Sequence, residues 1–183
     1  EEKSQKRLID MNLVEFANET ASESPAPGGG SISAYVGALG VSLGTMVANL
    51  SAHKRGWDNR WEEYSDWAVK GQALKERLLF LVDEDTISYN KVLDGFRMPK
   101  TTDEEKELRS AAISKATKYA IDTPLSVMQV AFDSMQIMLE MSKIGLEASI
   151  SDAGVGAMCA LTAIRGAGLN VKINCSGFED TAF

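Results

Sequence analysis

Histidine occurs once in this chain, at His53, cysteine twice, at Cys159 and Cys175, and proline four times. A single histidine with no acidic neighbour in sequence leaves no Ser-His-Asp set to build. The two thiols lie far apart, without a CxxC or clustered histidine, so neither a disulfide framework nor a zinc site is indicated and a reducing cytoplasm is the default. Basic residues are outnumbered, 19 Lys and Arg against 26 Asp and Glu. The net charge of -7 and a pI near 4.8 argue against nonspecific nucleic-acid binding. An anionic small molecule can still bind such a chain, given a local cluster of donors. The opening "EEKSQKRLID" shows no signal-peptide pattern of a basic stretch followed by an apolar one. What remains is ordinary for a soluble protein: 183 residues, 44% hydrophobic and 25% charged. That is enough for one domain with a sizeable core.

Helical patterning dominates. Asn12 is placed to cap a helix through "LVEFANETASE", which Pro25 and Pro27 must end. A second helix is expected from about Ile32 to His53 and a third, capped by Asp58 or Asn59, to about Leu93. Thr102 and Glu105 have capping-box spacing and open a fourth, which Pro124 kinks or restarts as a fifth helix to about Ser142. Ser151 caps a sixth, ending near Gly166 to Gly168. "NVKIN" near the end alternates like a strand but has no partner strand. The expected fold is all-α, an up-and-down bundle of about five to seven helices.

Charge is absent between Ser31 and Ala52, long enough to span a bilayer. The many Ser, Thr, Asn and Gly residues there oppose that reading. Gly40, Gly44 and Ala48 recur every four residues, as do Ser33, Gly37 and Val41. Small residues at that spacing let helix backbones approach closely, so a close-packed core helix is expected. Ahead of it stand Gly28, Gly29 and Gly30. They form either a plain turn, or a site where backbone passes close to a ligand and the helix-start N–H groups, with Ser31 and Ser33, hold an anion or polar heterocycle. The spacing fits neither a P-loop nor a dinucleotide fingerprint.

"FLVDEDTISYN" carries the acidic candidates. The apolar stripe Leu74, Leu78, Leu81 continues at helical spacing through Asp85, Ser88 and Val92. Asp85 therefore falls on the core face, while Asp83 and Glu84 point elsewhere. A carboxylate on such a stripe is either satisfied by a neighbouring helix or, with a pKa raised by desolvation, serves as a general acid/base. Tyr89, one turn on, is placed to orient it. His53 with Lys54 and Arg55 suits a helix C-terminus. Arg97 and Lys100 make a small basic spot, and Ser151 and Asp152 stand at a helix start as cap or site. The eight methionines read as core filler.

Taken in order, "PAPGGGS", the D-x-D of Asp83 and Asp85, "MPK" ending at Lys100, "EEK" with Arg109, "SDAGVGA" at Ser151 to Ala157 and "NVKIN" form a set that spans nearly the whole chain. By these motifs the chain resembles the cyclodeaminase domain of formiminotransferase-cyclodeaminase and the related methenyltetrahydrofolate cyclohydrolases. The resemblance implies a single domain over residues 1–183, with 1–10 as a linker from a preceding formiminotransferase domain in a longer bifunctional chain. It further implies a cytoplasmic homodimer, no nucleic-acid or membrane partner, and no metal or other cofactor.

The implied reaction is cyclisation of 5-formiminotetrahydrofolate to 5,10-methenyltetrahydrofolate with release of ammonia, in one-carbon metabolism and histidine degradation. Asp85, with Asp83 beside it, is the implied acid/base. Gly28, Gly29, Gly30, Ser31, Ser33, Lys100 and Asp152 are the implied substrate-binding set, with Lys100 meeting carboxylates of a polyglutamate tail. A cyclohydrolase of the same family and a non-catalytic helical interaction domain stand as alternatives.

Overall fold

The computed structural model describes residues 6–176 and 178, and within them the protein is helical. A capping box closes the start of α1 (Leu13–Thr20): the Asn12 side chain accepts from the backbone N–H groups of Val14 and Glu15, and Glu15 returns a bond to the Asn12 N–H. Four long helices follow: α2 (Gly29–Ala52), α3 (Trp61–Arg97), α4 (Asp103–Ile144) and α5 (Ile150–Cys175). Short connections force consecutive long helices to run antiparallel, giving up-down-up-down topology. α2 packs against each of the other three, and α4 bridges α3 and α5.

Three boundaries differ from expectation. α2 begins at Gly29, so two of the three glycines form its first turn. α4 runs unbroken through Pro124, whose ring is buried in the bundle. "NVKIN" is the last part of α5 and forms no strand. In the second and third cases tertiary packing overrides a local signal.

The small residues of α2 act within the chain. A Cβ at Gly40 would lie 2.8 Å from the Gly156 carbonyl oxygen, and one at Gly156 would lie 2.8 Å from that of Gly40. The α2 and α5 backbones thus touch where both lack side chains. Gly37 faces Ala163, and Gly44 faces Met138. Around this crossing Val41, Val47, Leu78, Leu81, Val82, Ile137, Met138 and Met141 form the core. At the far end Tyr64 donates to the carbonyl of Ile144, and Ser51 Oγ accepts the Leu146 N–H at 2.9 Å, tying down the α4–α5 turn.

Two stretches, Gly29–Ala52 and Glu147–Cys175, are long and apolar enough to cross a membrane. In the first, the most apolar window is 61% buried among the other helices, as a close-packed core helix requires. The second arises because α5 continues past Gly168, and its apolar window is only 22% buried. Its outer face presents Val155, Met158, Leu161 and Leu169.

Candidate functional site

The start of α2 is met by an acidic side chain of the chain itself. Asp85 Oδ2, on α3, accepts the Ser31 backbone N–H at 2.8 Å and the Ser31 hydroxyl at 3.0 Å. Free N–H groups and the helix dipole favour negative charge at this position. A Cβ on Gly30 would fall 2.0 Å from Asp85 Oδ1 and 2.5 Å from its Cγ, so glycine at 30 is a condition of the contact. The close approach anticipated for a ligand is, at Gly30 and Ser31, made by this internal carboxylate. Gly28 and Gly29 still line the cleft beside it.

Burial is the largest influence on Asp85 and raises its pKa, opposed in part by the two bonds from Ser31, which favour the carboxylate. Tyr89 lines the same cleft, yet the hydrogen bonds that Asp85 Oδ2 accepts come from Ser31. Asp83 does different work. Its Oδ1 accepts the Leu8 N–H at 2.7 Å, fastening the 3-10 turn of Leu8–Asp10 to α3. Residues 8–10 of the linker-like opening are therefore packed on the bundle, while residues 1–5 lie outside the described residues. Residues two apart on a helix face different directions, and here one carboxylate faces the cleft and the other the N-terminal segment.

The cleft, about 300 Å³, is bounded by the glycine turn, Asp85, Thr86 and Tyr89 of α3, and Asn170 and Asn174 of α5. The Thr86 hydroxyl is buried there without a hydrogen-bond partner. Asn174 donates to the Ala120 carbonyl at 2.7 Å and Asn170 to that of Gly166 at 3.0 Å. Val92, Ala120 and Asn174 also line a neighbouring cleft of about 470 Å³ that extends to Phe96, Ser110 and Ser114. Sharing these three residues, the two clefts adjoin as a groove, each within the size range of small-molecule sites. A larger hollow of about 990 Å³ lies at the other end of the bundle, between Leu74, Phe132, Leu139 and Ile150, and is mainly apolar.

Sequence reasoning missed Thr86, Asn170 and Asn174 as groove residues. A strand-like reading of "NVKIN" hid the i, i+4 spacing that puts both asparagines on one helix face. Ser33 is buried and donates to the Gly29 carbonyl at 2.6 Å, and its Oγ sits 2.4 Å from where a Cβ on Gly166 would be. It holds the helix rather than the groove. Lys100 is exposed on the α3–α4 turn, and Asp152 lies in the first turn of α5. With about 1.5 Å of rise per residue, Asp152 is roughly 27 Å along α5 from Asn170. Arg109 stacks over Phe96 at 5.5 Å and donates to its carbonyl at 3.3 Å, joining the end of α3 to α4. Among the described residues no three His, Cys, Asp or Glu side chains gather as a metal-binding group, and both cysteines are free.

Comparison with known proteins agrees with this architecture. Residues 12–183 match the family described as Formiminotransferase-cyclodeaminase. A methenyltetrahydrofolate cyclohydrolase from Methylorubrum extorquens is 35% identical over 92% of this chain and 81% of that protein. The formimidoyltransferase-cyclodeaminase of Rattus norvegicus is 31% identical over 96% of this chain, which spans only 32% of the rat protein. In three dimensions the fold superposes on the crystal structure of formiminotetrahydrofolate cyclodeaminase from Thermotoga maritima, with a TM-score of 0.82 at 24% identity, covering 94% of this chain and 82% of that one. An all-α bundle with these motifs, matched along nearly its full length, places the chain in the formiminotransferase-cyclodeaminase family.

Proposed function

We propose that this protein is an enzyme of folate one-carbon metabolism that cyclises 5-formiminotetrahydrofolate to 5,10-methenyltetrahydrofolate with release of ammonia. The observation that carries the reading is the half-buried Asp85 carboxyl, held by Ser31 at the edge of a groove. In the reaction N10 attacks the formimino carbon and loses its proton. The formimino group reacts as its amidinium, –CH=NH2+, so when its C–N bond breaks the nitrogen needs only the one proton that N10 gave up to leave as ammonia, and the positive charge stays on the methenyl bridge. One carboxyl with a raised pKa serves both transfers, accepting the N10 proton as base and delivering it as acid. Holding N10 against the one-carbon unit supplies further acceleration through proximity.

A cyclohydrolase is the second reading, favoured by the Methylorubrum relative, which this chain matches over most of that protein's length. There water adds to the methenyl carbon and the C–N5 bond opens, with the same need for one proton-transfer group. Incubation with 5-formiminotetrahydrofolate, following methenyl absorbance and ammonia together, decides between them. Equal yields of both products support the cyclodeaminase. Absence of both, with hydrolysis of added methenyltetrahydrofolate, supports the cyclohydrolase. Inactivity on both substrates overturns the enzymatic reading and leaves the helical interaction domain.

The substrate's glutamate tail is assigned to the Phe96–Ser110 end of the groove, toward the turn bearing Lys100, whose charge would draw a polyglutamate. The protein is read as a cytoplasmic homodimer in which the exposed α5 face of Val155, Met158 and Leu169 is covered by a second copy. A formiminotransferase unit in the same chain is part of this reading, and no metal or other cofactor enters it. Sedimentation at micromolar concentration tests the dimer, which a monomeric mass would exclude.

A further inference from the structure

Pro124 lies inside α4 and has no backbone N–H, so the carbonyl four residues earlier, on Ala120, has no helical partner. Ala120 itself lines both clefts. An unpaired carbonyl in such a place is costly, and Asn174 from α5 satisfies it at 2.7 Å. Because the partner is a carbonyl oxygen, the group of Asn174 facing it must be the amide NH2. The Oδ1 end is thereby committed as an acceptor, and among the described residues no group donates to it. Asn170, one turn earlier on the same face, is oriented alike: its Nδ2 donates to the Gly166 carbonyl, and Oδ1 is its remaining group. The side chain of Asn170 also borders Gly29, with Nδ2 and Oδ1 3.5 and 3.7 Å from where a Cβ there would lie.

We infer that Pro124 is a positioning residue: by freeing the Ala120 carbonyl it locks Asn174, and with Asn170 this gives the groove a pair of fixed acceptors for an N–H-rich ring. This rests on the folate reading, for a reduced pterin presents ring N–H and exocyclic amino donors along one edge. Carboxamide oxygens accept from such donors at any pH where the protein is folded. A locked acceptor also rejects an analogue that offers an acceptor at the same place. Ala120 and Asn174 line both clefts, so the ring would be held on the Asp85 side and the tail directed to the other.

The test uses Asn174→Ala, Pro124→Ala and the double variant, with 5-formyltetrahydrofolate as a stable binding probe and turnover of the preferred substrate alongside. Loss of one neutral hydrogen bond predicts a rise of about three- to tenfold in Kd and KM for Asn174→Ala, with kcat changed less. Pro124→Ala restores an N–H that competes for the Ala120 carbonyl, so it should reproduce the KM rise. The double variant should be no worse than the poorer single one, since both break one linkage. A ligand-free arm records the Asn174 side-chain NH2 resonances. They should be shifted and exchange-protected in wild type and should move toward solvent values in Pro124→Ala. Wild-type Kd and KM in Asn174→Ala, or additive losses in the double variant, overturn the inference. So do unmoved NH2 resonances in Pro124→Ala. If wild-type protein fails to bind the probe and turns over neither substrate, the folate reading and the acceptor role fail together, and the NH2 resonances alone decide the Pro124–Asn174 linkage.

Discussion

Gly30 and Asp85 occupy one space: a side chain on the first would stand where the carboxylate of the second lies, 2.0 Å from its Oδ1. The acid of the groove and the glycine at the head of α2 are therefore a single device, with Ser31 as its clasp.

Gly30→Ala follows directly. The side chain of Asp85 can swing aside more readily than α2 can move, so the variant should fold. The displaced carboxylate loses the Ser31 N–H, and kcat should fall at least tenfold. Gly29→Ala meets Asn170 only at an ordinary 3.5 Å and should leave the melting temperature within a degree or two. Equal kcat in Gly30→Ala and wild type would show that the clasp is not needed for turnover.

Ser31→Ala removes one of the two bonds that favour ionised Asp85 and leaves burial to dominate. The pKa should rise further, so the acid limb of kcat against pH should move to higher pH. A limb that stays in place would assign it to another group.

The same shift has a consequence for folding. Asp85 has a higher pKa in the folded than in the unfolded chain, so the folded state binds its proton more tightly. Its contribution to stability is therefore full below the usual carboxylate pKa, near 3.8, and is lost as pH rises through the folded value. Asp85→Asn removes that loss. At pH 7 to 8 the variant should melt at or above wild type, and the advantage should shrink on acidification. A melting temperature well below wild type at pH 8 would mean that the ionised carboxylate stabilises the fold.

How much of this was legible beforehand differs by element. The stripe Leu74-Leu78-Leu81 put Asp85 on the core face because helical phase is a local property. Thr102 and Glu105 form the anticipated capping box for the same reason. Pro124 misled, because its penalty is local while its compensation, Asn174, comes from fifty residues away. The glycines read equally as a plain turn or as a place of close approach, and sequence alone cannot show that at Gly30 the space of a side chain is filled by Asp85. Ser33 carries the same lesson, since its hydroxyl is spent on its own helix.

The α2–α5 crossing separates two glycines that look alike in sequence. Gly40 faces backbone atoms of Gly156 and Ala160 at 2.8 and 3.2 Å, which cannot yield, while Gly44 faces side-chain atoms of Met138 at 3.0 Å and Ile137 at 3.1 Å. Gly40→Ala should cost about 1–3 kcal/mol from overpacking and Gly44→Ala clearly less. Urea melts of both variants measure the difference, and the reverse order would mean that α5 can shift along α2.

The measurement closest to the central claim compares Asp85→Asn with Asp83→Asn, in binding of 5-formyltetrahydrofolate and in turnover. Asparagine at 85 keeps the shape and can still accept from Ser31, but it cannot carry a proton. That variant should bind the folate nearly as wild type does and lose about 10²–10⁴-fold in kcat, the usual range for a general acid/base. Asp83→Asn, which disturbs only the bond to Leu8, should keep kcat within a few-fold. Wild-type kcat in Asp85→Asn, or the larger loss in Asp83→Asn, would contradict the assignment of proton transfer to Asp85.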